Sequence, residues 1–238
     1  VQPLGVVIPR SDEDLFMVSE TAAELSIPVI PRGGGTSLSG SALGAALVID
    51  CSQHLAQIHH IDPVAQLADV GPGVVCAQLN QAAARHGLAY GPDPASADRA
   101  PAGGMISTNA TGAHSIRYGM TADHVISMDV ILADGSPARL EDISLEEARS
   151  KSQLSSLEGQ IYSRGLDLRL RFARAVEQAW PRTWRRSSGY NLNYLTGFTP
   201  DRPPAWYGEP GAYPPANEFN LAPLVCGSEG TLAVVRRA

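Results

Sequence analysis

The segment from Pro28 to Gly44, PVIPRGGGTSLSGSALG, joins two apparent strands through three consecutive glycines and a run of hydroxyl side chains. Glycines let a backbone approach a ligand closely and turn its N–H groups inward, and a concave array of that kind binds phosphate oxygens. Arg32, Thr36, Ser37 and Ser39 add further donors. The segment is neither the dinucleotide fingerprint GxGxxG nor the GxxxxGK[ST] phosphate loop. The single lysine of the chain, Lys151, lies far away in SLEEARSKSQLSS, which disfavours both Walker-type phosphate binding and Schiff-base chemistry. Taken alone, such a loop also admits a tight turn with no ligand.

A second segment from Tyr90 to Gly119, YGPDPASADRAPAGGMISTNATGAHSIRYG, is as dense in glycine, small residues and amide or hydroxyl groups. A third, CGSEGTL from Cys226 to Leu232, repeats the character. A single phosphate does not require so much narrow, polar-lined backbone. A pyrophosphate, an adenosine and an isoalloxazine ring together do.

Composition narrows the class. With 238 residues, 44% of them apolar and 18% charged, the chain has the make-up of one folded domain or two closely packed subdomains. Its formal net charge of −6 argues against nucleic acid as a partner, because polyanion binders carry a basic face. No stretch approaches the roughly 20 apolar residues that span a bilayer, and the amino end has no charged lead before an apolar segment. A soluble, cytoplasmic protein is expected. Cys51, Cys76 and Cys226 are widely spaced, without a CxxC pair, and read as structural thiols rather than a disulfide framework or iron–sulfur ligands.

Along the chain, Gly5 to Ile8 reads as a strand, and Ser11 before Asp12, Glu13 and Asp14 reads as a capped helix start. Leu15, Val18, Ala22 and Leu25 keep helical spacing, and Ile27 to Ile30 and Ala46 to Ile49 supply further strands. Residues 56–70 read as two antiparallel strands around Asp62-Pro63, and Val74 to His86 as a helix ended by Gly87. Val125 to Ala133 and Ala138 to Leu140 form a hairpin at Asp134-Gly135. Glu141 to Ser156 is expected to be surface linker. Leu157 to Trp180 reads as a long helix that buries Leu157, Ile161, Leu168, Phe172, Val176 and Trp180 and exposes Arg164, Arg169, Arg171 and Arg174. The proline- and glycine-rich residues 197–216 are expected to be loop.

The motifs PRGGGTSLSG (31–40), VGPGV (70–74), GPDP (91–94), GG (103–104), NATGAHSIRYG (109–119), ADG (133–135), SGYN (188–191) and GSEGTL (227–232) occur in that order. Together they resemble the FAD-linked oxidases of the vanillyl-alcohol-oxidase type. Within that family the chain is similar to the branch of glycolate oxidase subunits, D-lactate dehydrogenases and D-2-hydroxyglutarate dehydrogenases, and to its long bacterial members, in which an iron–sulfur region follows.

The resemblance implies an α+β fold of two lobes, with FAD extended between them. Residues 1–50 would be a small α/β lobe, and residues 51–238 a larger lobe with a mainly antiparallel sheet flanked by helices. It implies that the backbone N–H groups of Arg32, Gly33, Gly34, Gly35 and Thr36, with Ser37 and Gly40 in the same loop, hold the pyrophosphate. Pro92, Gly103, Gly104, Ser107, Asn109, Gly112 and Ser115 would line the rest of the cofactor, and Glu229 and Gly230 would close the site. Members that attach FAD covalently often do so through a histidine beside the glycine loop. Thr36 stands there, so non-covalent FAD is implied. The family's cap domain, which carries substrate-binding groups and often metal ligands, follows the GSEGTL region and is absent from this sequence; both ends read as trimmed, and no metal site is expected.

Several side chains admit two readings. His114 can accept a proton from a substrate hydroxyl while hydride moves to the flavin, or it simply packs. His59 and His60, adjacent on a strand, face opposite sides and do not share a metal. Tyr190 and Asn191 either reach the flavin or build a turn and core, Arg117 and Tyr118 either bind a substrate carboxylate or anchor their loop, and Glu229 bonds either a ribose hydroxyl or its own turn. No catalytic base is singled out.

The function implied is that of a dehydrogenase or oxidase acting on CH–OH groups. It would transfer hydride from a small 2-hydroxy acid such as D-lactate, glycolate or D-2-hydroxyglutarate to FAD, then pass electrons to an iron–sulfur region or another redox partner. The fragment alone is expected to be inactive. The alternative is a nucleotide-binding module without turnover; a nucleotide-sugar reductase is disfavoured by GAHSIRYG and GSEGTL.

Overall fold

The computed structural model describes residues 2–183, 185–186, 189–198 and 218–238. Of the expected proline-rich loop, residues 199–216 lie outside the described residues.

The chain opens with β1 (Gly5–Val7), α1 (Asp12–Glu24), β2 (Val29–Arg32) and β3 (Leu47–Asp50). The strands form a parallel sheet in the order β1-β3-β2, with Val6 and Ile30 both opposite Val48. Helix α1 begins where Ser11 Oγ accepts the Asp14 N–H at 3.1 Å, and three acidic residues occupy the positive end of the helix dipole. Leu15, fully buried on α1, packs with Ile49, Cys51 and Leu55 and with Ile131 and Val234 further along the chain. Removing the cap with Ser11→Ala costs about 1 kcal/mol. The melting temperature should then fall by roughly 2–4 °C, and Ser11→Asp should restore it.

A hairpin of β4 (Ile58–Asp62) and β5 (Leu67–Val70) follows, then α2 (Cys76–Ala83), extended by a 3-10 turn and stopped at Gly87, whose φ is 72°. Two short helices, α3 (Ala102–Ser107) and α4 (Ser115–Tyr118), bracket the middle of the second glycine-rich segment. β6 (Met128–Ile131) and β7 (Pro137–Leu140) pair antiparallel around Asp134-Gly135, as the turn chemistry requires.

Residues 141–156 are not linker. They hold β8 (Ile143–Ser144) and α5 (Leu145–Lys151), with Ala148 fully buried. Ser144 Oγ accepts the Glu147 N–H at 3.1 Å while Glu147 Oε2 accepts the Ser144 N–H at 3.1 Å, so the reciprocal Ser-x-x-Glu cap starts the helix despite its polar outer face.

α6 (Leu157–Ala179) is the long helix, but its buried face differs from the apolar stripe. Gly159, Tyr162, Gly165 and Val176 are buried, Phe172 is 40% exposed, and Arg169 turns inward to donate from Nη1 to the Glu218 carbonyl at 2.6 Å. Gly165 sets the contact, since a Cβ there would lie 2.9 Å from Phe219 Cζ. The remaining elements are α7 (Leu192–Thr196), β9 (Glu218–Phe219), α8 (Ala222–Val225) and β10 (Val234–Arg237). β9 pairs with β8, and β10 completes an antiparallel sheet in the order β10-β6-β7. The main core, with Tyr162, Phe219, Tyr194, Met128 and Val130, lies among this sheet, α6, α7 and α8. No described helix is long and apolar enough to cross a membrane.

Candidate functional site

A cleft of about 490 Å³ opens where the loop after β2 faces the segment around α3 and the turn after α8. Its walls bring together Arg32, Gly33, Gly34, Gly35, Thr36 and Ser37 from the first glycine loop, Gly103, Gly104 and Ser107 from the second, and Glu229 from the third.

Glycine is required for the loops to meet. A Cβ on Gly33 would collide with the Pro101 ring, and one on Gly34 with the Arg99 carbonyl oxygen. Among the described residues, no protein acceptor takes up the backbone N–H groups of Gly33 through Ser39. The Arg32 guanidinium lies against Gly35 in the same loop. Backbone donors without a protein partner beside a cation are what an anion-binding loop offers, because a ligand that accepts from them is stabilised there.

The third loop is tied to both others. The Gly227 N–H donates to the Ile106 carbonyl at 2.9 Å and the Glu229 N–H to the Ser107 carbonyl at 2.8 Å. Glu229 holds a φ of 53°, unusual for a residue with a side chain, and its Oε2 accepts from Ser39 Oγ at 3.1 Å. Gly230, with φ 81°, packs against Pro31.

Other residues implied by the resemblance sit behind the cleft wall. Pro92, Asn109 and Ser115 are buried. Asn109 Oδ1 accepts the Ala122 N–H at 2.9 Å, and Ser115 Oγ accepts the Gly112 N–H at 2.9 Å, so these side chains shape the second loop from within. Gly112 borders a separate shallow cleft with Asp93, Pro94, Thr111 and Arg185. Gly40, with φ 77°, completes the first loop outside the cleft lining.

The two-way readings separate in space. His114 is exposed, with Nδ1 3.4 Å from Asp93 Oδ2. Arg117 stacks over Tyr118, 5.4 Å from its ring centre, in keeping with loop anchoring. Tyr190 shares a hydrogen bond with Thr231 Oγ1 at 2.9 Å, and buried Asn191 donates from Nδ2 to the Cys226 and Pro223 carbonyls. His59 is half-buried and His60 exposed, and no group of potential metal ligands occurs among the described residues. The cysteines are buried and unpaired, and burial pushes the Cys51 thiol up to about 12 and Cys76 to about 11, which suits inert core thiols.

Two long-range links had no individual signal in the sequence: the Ser39–Glu229 bond and a Tyr194–Asp123 bond of 2.5 Å behind the second loop. Both join residues far apart in the chain.

A small parallel α/β unit, an antiparallel sheet with helices, and a cleft walled by three glycine-rich loops are the architecture of a nucleotide-cofactor-binding domain. The chain belongs to the FAD binding domain family, which it matches over residues 3–141, and FAD is its cofactor. It is 31% identical over 239 residues to the D-2-hydroxyglutarate dehydrogenase of Pantoea ananatis, an alignment that covers 99% of this chain and 22% of that protein. It is 38% identical over 154 residues to the D-lactate dehydrogenase of Archaeoglobus fulgidus, covering 65% of this chain and 34% of the relative. A glycolate oxidase subunit of Escherichia coli is 36% identical over 149 residues, 61% of this chain and 29% of the relative. The chain thus spans about a fifth to a third of the length of these relatives.

Among solved structures, alkyldihydroxyacetonephosphate synthase superposes with a TM-score of 0.60 at 18% identity over 98% of this chain and 30% of that one. The 6-hydroxy-D-nicotine oxidase of Arthrobacter nicotinovorans does so at 0.52 and 22% identity, over 62% of this chain and 31% of that one. The fold is the α+β, vanillyl-alcohol-oxidase-type FAD-binding fold.

Proposed function

We propose that this chain is the FAD-binding domain of a dehydrogenase or oxidase that takes hydride from a small 2-hydroxy acid, with D-2-hydroxyglutarate, D-lactate and glycolate as the candidate substrates. The observation that carries the reading is the row of unpaired N–H donors from Gly33 to Ser39 beside Arg32, facing the Gly103-Gly104 wall. The activities for which the three relatives are named support the substrate class.

In this reading FAD lies between a lobe of residues 1–50 and a lobe of residues 51–238. The Gly33 to Ser37 donors and Arg32 neutralise the pyrophosphate, Glu229 accepts from a ribose hydroxyl, and Gly103, Gly104 and Ser107 form the narrow wall beside the cofactor. Pro92, Asn109, Gly112 and Ser115 keep the second loop in shape. Bound FAD supplies the hydride acceptor, and the protein binds and orients it. Thr36 in place of a histidine leaves the cofactor non-covalent. Electrons then pass to an iron–sulfur region or another redox partner, in the cytoplasm.

The test is anaerobic mixing of the full-length, FAD-loaded protein with each of the three acids. Loss of the visible oxidised-flavin absorbance with at least one of them is expected. A flavin that stays oxidised with all three, yet bleaches with dithionite, would overturn the substrate class and favour a nucleotide-binding module without turnover.

A further inference from the structure

We propose that Asp123 and Tyr194 form a latch that holds the second and third glycine loops in register and thereby positions the flavin site; this rests on the assignment of FAD to the cleft. Asp123 lies just after the second loop, and its carboxylate takes two donors at once, the Tyr194 hydroxyl on Oδ1 at 2.5 Å and the Met120 N–H on Oδ2 at 2.7 Å. Gly119, with φ 80°, is needed for this approach, because a Cβ there would collide with the Asp123 carboxylate. The next residue back in that network, Ala122, is held by Asn109 of the loop itself.

Tyr194, 3% exposed, stands on α7, whose first turn is preceded by Asn191. Asn191 clamps the Cys226 and Pro223 carbonyls, and Cys226 opens the third loop. One hydroxyl therefore connects the anchor of the third loop to the return of the second, across a chain separation of 71 residues. Facing the carboxylate are Arg186, which lies over the Trp180 ring, and His124, whose ring bonds the Tyr118 carbonyl at 2.8 Å. Burial raises the Asp123 carboxyl above its ordinary range and lowers His124 below its own.

Asparagine at position 123 keeps one acceptor oxygen for the Met120 N–H and turns its NH₂ toward the Tyr194 oxygen, so Asp123→Asn leaves the Tyr194 hydroxyl hydrogen without its acceptor. Tyr194→Phe removes the hydroxyl and keeps the ring. Both variants should bind FAD at least about tenfold more weakly, by fluorescence titration of the apoprotein, and, once loaded, shift the visible circular dichroism of bound flavin. The double variant should lose little more than either single one. Tyr162→Phe, an equally buried change on α6 away from the loops, should leave both readouts alone.

Wild-type affinity and wild-type flavin dichroism in Tyr194→Phe would overturn the latch, provided Gly34→Val has lost the cofactor. If Gly34→Val also keeps FAD, the cleft assignment fails and the latch fails with it. Should Tyr194→Phe not fold, Asp123→Asn supplies the same two readings.

Discussion

Gly34→Val should strip the protein of FAD, leaving no flavin absorbance after desalting and a dissociation constant at least about 100-fold higher, equivalent to about 2.7 kcal/mol. The effect is steric and comes from the opposing loop rather than from backbone conformation. A Cβ at Gly34 would overlap the Arg99 carbonyl oxygen, and valine adds two methyl groups to that collision. Arg99 cannot yield easily, since its N–H bonds the Ser96 carbonyl at 2.8 Å and the Ala100 N–H bonds the same carbonyl at 2.7 Å. The glycine loop must move instead, which displaces the Gly33 to Ser37 backbone from its place opposite Gly103 and Gly104 in the cleft. The loop is largely exposed, so the melting temperature of the apoprotein should change little. Stoichiometric FAD retained by a folded Gly34→Val protein would mean that the pyrophosphate lies elsewhere.

The largest stability effect is expected at Phe219. Its side chain is 0% exposed, its ring centre is 6.0 Å from that of Tyr162, and it fills the space that Gly165 leaves open on α6. Phe219→Ala removes a buried aromatic ring from a close-packed site and should cost about 3–5 kcal/mol. For a chain of this size that lowers the melting temperature by roughly 6–20 °C. Chemical denaturation should show the midpoint falling with little change in slope, and a loss below about 1 kcal/mol would show that α6 does not depend on this contact.

Much of the chain was legible because its signals are local. Ser11 caps α1, Gly87 ends α2 in the left-handed region, Asp134-Gly135 turns the β6–β7 hairpin, and Asp62-Pro63 opens the turn between β4 and β5. Each depends on hydrogen bonds and backbone angles within a few residues. The charge of residues 141–156 resembles a linker's, although Ser144 and Glu147 carry the capping signal for α5. On α6 the apolar spacing pointed to Phe172, whereas packing chose Tyr162 and Gly165, because the partner there is Phe219 and not solvent.

By itself, then, the sequence determined where the glycine-rich loops are and which helices and turns frame them. Tertiary structure decided which loop residues face the cleft and which, like Asn109 and Ser115, lie buried behind it. It also decided that Ser39 meets Glu229 across 190 residues and that Tyr194 meets Asp123 across 71. Backbone propensity acts along the chain over one or two turns, whereas the pairing of distant side chains depends on how the whole core packs, and no local pattern encodes that distance.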